Sequence, residues 1–169
     1  MKTLVIKICI LGLLVLLFMG SMALASDTAT VAATVTAQNI SVNVSDGTIS
    51  YGILPANTTK STIAAELNDQ QTATNAGNVA EDFNIKGQDS TNWTLGATSG
   101  SDQYVHKFCT SSCGTPPTNY TALTTNYSLL ASNVGTSGSQ TFDLQITTPN
   151  PSTVFTQQSV DVIVMAVAH

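Results

Sequence analysis

The chain has 169 residues, with ten acidic and five basic side chains and a formal net charge of −5. Residues 1–25 have the pattern of a cleavable signal peptide, so residues 26–169 retain three lysines, no arginine and all ten acidic residues, a charge of −7. This balance argues against nucleic acid and anionic membranes as partners, because both are held mainly by clustered Lys and Arg. With 25 threonines and only two histidines in this part, the chain is rich in strand formers and poor in catalytic groups.

The first 25 residues predict export. Lys2 and Lys7 form a positive start, residues 8–19 are almost entirely apolar, and a small-x-small sequence ends at Ala25. We therefore expect cleavage between Ala25 and Ser26. The apolar run is shorter than the roughly 20 residues of a spanning helix, so no membrane span is expected after cleavage. The predicted location is secreted, either extracellular or at the cell surface.

The start of the exported chain has the clearest strand pattern. In residues 28–37 the odd positions are alanine or valine, and most even positions are threonine, which predicts a first β-strand. The apolar phase shifts at Ile40, Val42 and Val44, which indicates a bulge or corner near Gln38. A turn at Asp46 and Gly47 then leads into a predicted strand over residues 48–54.

Alternating apolar residues continue through the rest of the chain. Only residues 61–67 have some helical character. Residues 159–168 are apolar at both odd and even positions, which predicts a central strand covered on both faces. Further strands are predicted at residues 71–74, 82–86, 91–95, 103–110, 127–134 and 142–146. About nine strands predict one all-β domain over residues 26–169, a single antiparallel two-sheet sandwich of Ig-like or jelly-roll-like type.

Two cysteines remain after removal of the signal peptide. Cys109 and Cys113 are an even pair in an exported chain, which favours a local structural disulfide over a redox or zinc site. Their spacing differs from that of a thioredoxin-type pair, and no zinc ligands follow. Residues 111–118 contain serines, a glycine and two prolines and are predicted to form an exposed excursion.

The titratable residues do not form a catalytic pattern. His106 shares a predicted strand face with Tyr104 and Phe108, so we interpret it as a sheet histidine rather than a general base. Aspartates such as Asp46 and Asp102 are scattered in turns, where Asp is a common turn former. Calcium bound by such loops is a lesser alternative, since no twelve-residue loop is present. We expect no enzyme activity, no cofactor and no metal site.

Aromatic residues offer the main alternative function. Rings that stack on sugars could make this a carbohydrate-binding module, although strand parity favours a core position for Trp93. The other candidate rings are Tyr104, Tyr120 and Tyr127. Six Asn-x-Ser/Thr sequons are potential glycosylation acceptors, at Asn39, Asn43, Asn57, Asn92, Asn119 and Asn126.

Three stretches of sequence carry a resemblance: VTAQNISVNVSDGTISYGIL at residues 35–54, TATNAGN at residues 72–78, and DFNIKGQ with NWTL at residues 82–95. Together they resemble small uncharacterised exported prokaryotic β-sandwich proteins. More remotely they are similar to the TasA/camelysin and WxL-type surface proteins. The resemblance implies a matrix-fibre or cell-surface component, and the TasA group polymerises by donating an N-terminal strand. It assigns no functional residue.

The sequence thus leaves two functional hypotheses. The first is a secreted or cell-surface structural or adhesive module that self-associates through residues 28–37, which either form its own first strand or pair with a neighbour's open sheet edge. The second is a carbohydrate-binding module. The expected partners are the chain itself, other surface proteins or glycans.

Overall fold

The structure is a computed structural model that describes residues 28–114 and 119–169. The predicted signal peptide and its cleavage site at Ala25 and Ser26 lie outside the described residues. The described residues fall into two units, residues 28–36 and Ala37–His169. They contain ten strands and no helix, namely β1 (Val42–Val44), β2 (Thr59–Ser61), β3 (Gln71–Asn75), β4 (Glu81–Lys86), β5 (Thr94–Leu95), β6 (Gln103–Cys109), β7 (Thr121–Ala122), β8 (Ser128–Val134), β9 (Ser139–Thr147) and β10 (Ile163–Ala168).

Seven strands form the larger sheet, which we call sheet I. Its order is β1-β3-β9-β6-β5, and β2 and β7 pair with β9 and β6 respectively. All pairs are antiparallel except β5 with β6. The register places His106 opposite Ile146 and Phe108 opposite Leu144. Since β9 pairs with three strands, it lies at the centre of the sheet.

Three strands form the smaller sheet, sheet II, in the order β10-β4-β8. Val164 lies opposite Ile85 and Ala166 opposite Phe83. The pairing of β4 with β8 contains register shifts around Phe83. Such irregularities bend a strand and increase its twist.

The two sheets pack face to face around one hydrophobic core. Sheet II contributes Phe83, Ile85 and Leu130, and sheet I contributes residues such as Phe142 and Leu144, all buried. This burial follows from the period-two alternation, because every second side chain of a strand points to the same face. The predicted all-β fold with two sheets is confirmed, with ten strands instead of about nine.

The predicted strand at residues 28–37 is wrong. Residues 28–41 form no strand, and the Val31 and Val35 side chains are 93% and 96% exposed. Alternation defines two faces, but a strand also requires backbone pairing with a neighbour. The predicted strand at residues 48–54 is also absent, since the positive φ angles of Gly47 (71°) and Gly52 (74°) turn the chain out of the extended conformation.

The prediction of a central strand at residues 159–168 is also wrong. Strand β10 begins only at Ile163 and pairs with β4 alone. Its core-facing residues Val164 and Ala166 are only partly buried. Apolar residues at both odd and even positions indicate that both faces of the strand are apolar. They do not indicate how many strands pair with its two edges.

Residues 37–41 form a short segment that we call the anchor. Asn39 donates its backbone N–H to Asn78 Oδ1, and the Asn78 side-chain amide donates to the carbonyl of Ala37, both at 2.8 Å. The N–H of Ala76 donates to the carbonyl of Ser41 at 2.8 Å. These contacts continue the register of β1 with β3, in which Val42 lies opposite Asn75.

The segment after β2 and the cysteine pair complete the fold. Residues 63–68 form a turn in which the Glu66 N–H donates to the Ile63 carbonyl at 2.9 Å, so the helical character expected there does not develop into a helix. Cys109 and Cys113 are joined by a disulfide with a Cα–Cα distance of 5.8 Å. The predicted excursion after Ser111 lies partly outside the described residues, at residues 115–118.

Candidate functional site

An open cleft of about 920 Å³ lies between the two sheets. Phe142, Leu144 and Ile146 of β9 line it from sheet I. Val162 and Val164, just before and within β10, line it from the other side. The cleft exists because sheet II ends at β10 and leaves part of the inner face of sheet I without a covering strand.

Two loops border this cleft, and both carry exposed apolar side chains. Ile53 is fully exposed and Phe155 is 89% exposed, although both line the cleft. Single exposed apolar residues are common, but several around one concave apolar surface are typical of an interaction site. This end of the sandwich therefore has the character of a binding surface.

A polar pair lines the cleft, namely His106, which is buried, and Tyr51, which is half-buried. Their contact joins His106 Nε2 to Tyr51 Oη at 3.1 Å. Burial lowers the pKa of His106 to about 4, and burial also raises the pKa of Tyr51. Both groups are therefore neutral at neutral pH, whereas an acid–base catalyst needs a pKa near the working pH. The Nδ1 atom of His106 is buried without a hydrogen-bond partner among the described residues.

The outer edge of β10 is the second element of the site. Strand β10 pairs with β4 on one side, and no described strand pairs with its other side. An edge strand presents unpaired N–H and C=O groups that can accept another strand. Because Val164 belongs to both β10 and the cleft wall, the free edge and the apolar cleft form one continuous surface.

Residues 28–36 belong to the other unit of the chain, and we call them the N-terminal segment. It alternates small apolar residues, for example Val31 and Val35, with threonines, and it forms no strand. An apolar side chain at every second position is the pattern of a strand with one buried face. The chain thus contains a strand-like sequence outside any sheet.

The aromatic residues considered for sugar binding do not form one platform. Trp93 is half-buried, its Nε1–H donates to Ser152 Oγ at 3.2 Å, and its ring lies 6.3 Å from that of Tyr104. Tyr104 is buried, and its hydroxyl donates to the carbonyl of Gln88. Trp93 also lines the cleft. Tyr127 is exposed beside Lys86, whose Nζ lies 4.7 Å from the ring centroid.

Tyr120, Asp102 and Asp82 of β4 have local structural environments. Tyr120 is half-buried, and burial is the main cause of the raised pKa of its hydroxyl. Hydrogen bonds from the Thr153 side chain and backbone lower the pKa of the Asp102 carboxyl, with a further contribution from Ser152. The backbone N–H of Asn133 is the main cause of the lowered pKa of Asp82, followed by His169. In the described ranges, His, Cys, Asp and Glu do not cluster in groups of three or more suited to a metal ion.

Sequence reasoning missed the cleft and its polar pair. Tyr51 and His106 are 55 residues apart, and neither has a sequence neighbour that marks the contact. The free edge of β10 was also missed, because the apolar residues at both parities of residues 159–168 describe the two faces of the strand and not its edge.

These features define an all-β sandwich whose smaller sheet ends at a free edge beside an open apolar cleft. Comparisons with protein families, with curated protein sequences and with solved structures find no match. Within the described residues, no helix is long and apolar enough to cross a membrane.

Proposed function

We propose that this protein is an exported structural or adhesive module of the cell surface, which self-associates when the N-terminal segment of one copy pairs with β10 of another. One observation carries the proposal: the same chain contains a strand-like segment outside any sheet and a sheet edge without a strand. Strand addition to an exposed edge is a recurrent mode of recognition, in which backbone hydrogen bonds supply affinity. The disulfide between Cys109 and Cys113 fits an oxidising, extracellular setting.

The N-terminal segment is long enough to pair with the whole of β10. The N-terminal segment has nine residues, which span about 30 Å when extended, whereas the six residues of β10 span about 20 Å. The segment can therefore cover β10 and part of the cleft beside it. Its odd positions would place Val31 and Val35 against the cleft, and its threonines would face away.

Apolar burial and backbone hydrogen bonds would both contribute to this arrangement. Burial of the Val31 and Val35 side chains contributes about 1.5–3 kcal/mol each. Each backbone hydrogen bond along β10 adds about 0.5–1.5 kcal/mol net. These terms must exceed the cost of association and of ordering the segment, which is at least several kcal/mol. The alanines at the other odd positions fit a cleft bounded by the bulky residues Phe142 and Ile146.

Deletion of residues 26–36 tests the proposal. The full exported chain should form polymers in negative-stain microscopy and elute early from a size-exclusion column. The truncated chain should elute as a monomer with an unchanged urea unfolding midpoint, since the core does not include the deleted residues. Persisting polymers, or loss of the fold on truncation, would show that the segment does not act between copies.

A peptide experiment tests the pairing directly. A synthetic peptide of residues 28–37 should bind the truncated chain in a one-to-one complex and raise its Tm, because a ligand of the native state alone stabilises that state. A peptide with Val31→Asp and Val35→Asp should not bind. The matched control peptide, with Thr30→Ser and Thr34→Ser, should bind as well as the original. Equal binding of the Asp peptide would contradict insertion into an apolar cleft.

Carbohydrate binding is the second candidate function. It is favoured by the cleft position of Trp93 together with the highly exposed ring of Phe155. On a glycan array, the exported chain should then recognise a sugar ligand, and both Trp93→Ala and Phe155→Ala should lose it while the fold is retained. Tyr127→Ala is the control, since its ring does not line the cleft. An array without any ligand would eliminate this candidate.

A further inference from the structure

The six sequons follow the topology of the sheets. Six strands have a single partner strand: β1, β2, β5, β7, β8 and β10. The asparagine of one sequon, Asn43, lies within β1. Four further sequons begin two residues before β2, β5, β7 and β8, at Asn57, Asn92, Asn119 and Asn126 respectively. Among the described residues, β10 is the one singly paired strand without a sequon.

The strands with two or more partners provide the contrast. Strands β3, β4, β6 and β9 contain no sequon. Their asparagines, Asn75 and Asn84, are buried and half-buried respectively, and neither has Ser or Thr two positions later. The sixth sequon asparagine, Asn39, lies in the anchor directly before β1. Sequons thus occur at strands with a free edge and are absent from the interior of the sheets.

All six sequon asparagines are exposed, as an acceptor site requires. At four of them the hydroxyl residue of the sequon is also the first residue of the strand. These residues are Thr59 of β2, Thr94 of β5, Thr121 of β7 and Ser128 of β8. A sugar on the preceding asparagine would therefore stand at the entrance to the free edge of that strand.

The edge strands have little protection from charged side chains. Natural proteins protect exposed edges with lysines, prolines, bulges, covering segments or very short strands. The six singly paired strands contain one charged residue in all, Lys60 of β2, whereas Lys86 and Lys107 lie on the interior strands β4 and β6. Strand β8 is seven residues long and uncharged, and its Leu129 is exposed. Strands β1, β2, β5 and β7 are protected in part by their length of two or three residues, so a further blocking device matters most at β8.

We propose that Asn43, Asn57, Asn92, Asn119 and Asn126 are N-glycosylated, and that the glycans block the edges of β1, β2, β5, β7 and β8. Among the described strands, β10 is then the only edge open to a second copy. The role of β10 rests on the proposed function, but the modification does not. In the modification, asparagine Nδ2 forms a bond to the anomeric carbon of a lipid-linked oligosaccharide donor. The lipid-linked phosphate or diphosphate leaves with the electron pair of the broken C–O bond, and Nδ2 loses one proton.

Glycopeptide mass spectrometry of the chain exported by its natural host tests the modification. Peptides that contain Asn43, Asn57, Asn92, Asn119 and Asn126 should carry sugar masses. The substitutions Thr59→Ala, Thr94→Ala and Thr121→Ala should each abolish the mass at the asparagine two positions earlier, although that asparagine is retained. The exposed asparagines Asn68 and Asn133, which lie outside sequons, should be unmodified. Unmodified peptides at all five edge sites would overturn the proposal.

A second experiment tests the blocking of edges. A chain with all five edge asparagines changed to Gln should form at least several-fold more pelletable, laterally associated material than the glycosylated chain. The control with Asn68→Gln and Asn133→Gln should not. Equal amounts of pelletable material would overturn the blocking role.

The two proposals can fail separately. Deletion of residues 26–36 from the five-Gln chain should remove polymers formed through β10 and leave the lateral association. If the deletion has no effect on polymers but the five-Gln chain still associates laterally, the proposed function fails and the glycan inference is retained. If lateral association also disappears on deletion, the association did not occur at the five edges and the glycan inference fails.

Discussion

Strand β10 is apolar at all six positions, whereas β9 has only three apolar residues among nine, and yet β9 is the more deeply buried strand. Strand β9 pairs with β2, β3 and β6, and its Phe142 is 2% exposed. Strand β10 pairs with β4 alone; its Val164 remains half-buried and its Val167 is 37% exposed. The comparison teaches that the number of neighbouring strands, rather than the hydrophobicity of the side chains, sets the burial. Strand β9 holds the fold together, and β10 leaves apolar surface available.

The largest expected effect belongs to β9. Phe142→Ala should lower the free energy of unfolding by about 3–5 kcal/mol, since the ring is buried in the core and its removal leaves a cavity. Urea unfolding followed by circular dichroism measures the change. A loss below about 1 kcal/mol would mean that the site collapses around the missing ring, and the contrast with β10 would fail.

The next effect depends on pH and concerns His106, which lies opposite Ile146 of β9. Burial holds the pKa of His106 at about 4, below the value of about 6.5 expected in the unfolded chain. The unfolded state therefore binds the proton first as pH falls. The stabilisation is complete above pH 6.5 and decreases towards pH 4, by up to about 3 kcal/mol.

The phenylalanine of the variant His106→Phe cannot titrate, so the variant should lack the part of the pH dependence of stability that His106 causes. The comparison is the difference between the urea midpoints of the two proteins, measured from pH 7 to pH 4. Carboxylates such as Asp82 and Asp102 are present in both proteins, so their contributions cancel. Parallel curves for wild type and variant would show that water reaches the ring through the cleft.

A smaller effect is expected where β9 meets the segment after β2. Thr62 donates its hydroxyl hydrogen to Asp143 Oδ1 at 2.9 Å and accepts the Leu144 N–H, also at 2.9 Å. Thr62→Val keeps the shape and removes both bonds, which should cost about 2 kcal/mol because one partner is a buried carboxylate. Thr59→Val, on the exposed part of β2, is the control and should cost far less.

The smallest effect belongs to β10. Val164→Ala should lower the free energy of unfolding by about 1 kcal/mol, because the side chain is only partly removed from water. The cost should increase when the peptide of residues 28–37 is bound, since the paired strand would complete the burial. If Val164→Ala lowers the free energy of unfolding equally with and without the peptide, Val164 is not part of the binding surface.

The alternation of apolar residues predicted the interior of the fold well. Strands β3, β4, β6, β8 and β9 lie where the pattern places them, because each has a buried face that the pattern describes. The pattern failed at residues 28–37 and 48–54, which form no strand, and in the central position expected for β10. The side chains there have a strand-like pattern, but pairing also depends on the backbone conformation and on a neighbouring strand from elsewhere in the chain.

The candidate site was less predictable than the fold. The cleft forms where sheet II is narrower than sheet I, and strand count per sheet is not encoded in any local run of residues. The contact of Tyr51 with His106 likewise depends on an irregular segment that the sequence predicted as a strand. The sequons were visible in the sequence, but their relation to sheet edges required the pairing of strands.

The anchor has a mechanical consequence. If subunits are linked through residues 28–36, tension along the polymer enters each sandwich at Ala37. The hydrogen bonds between Asn39 and Asn78 and between Ser41 and Ala76 continue the antiparallel ladder of β1 with β3. A pull along this ladder loads its bonds together, in shear, instead of opening them one after another. If a fibre pulls along the direction of β1, this point of attachment resists the force.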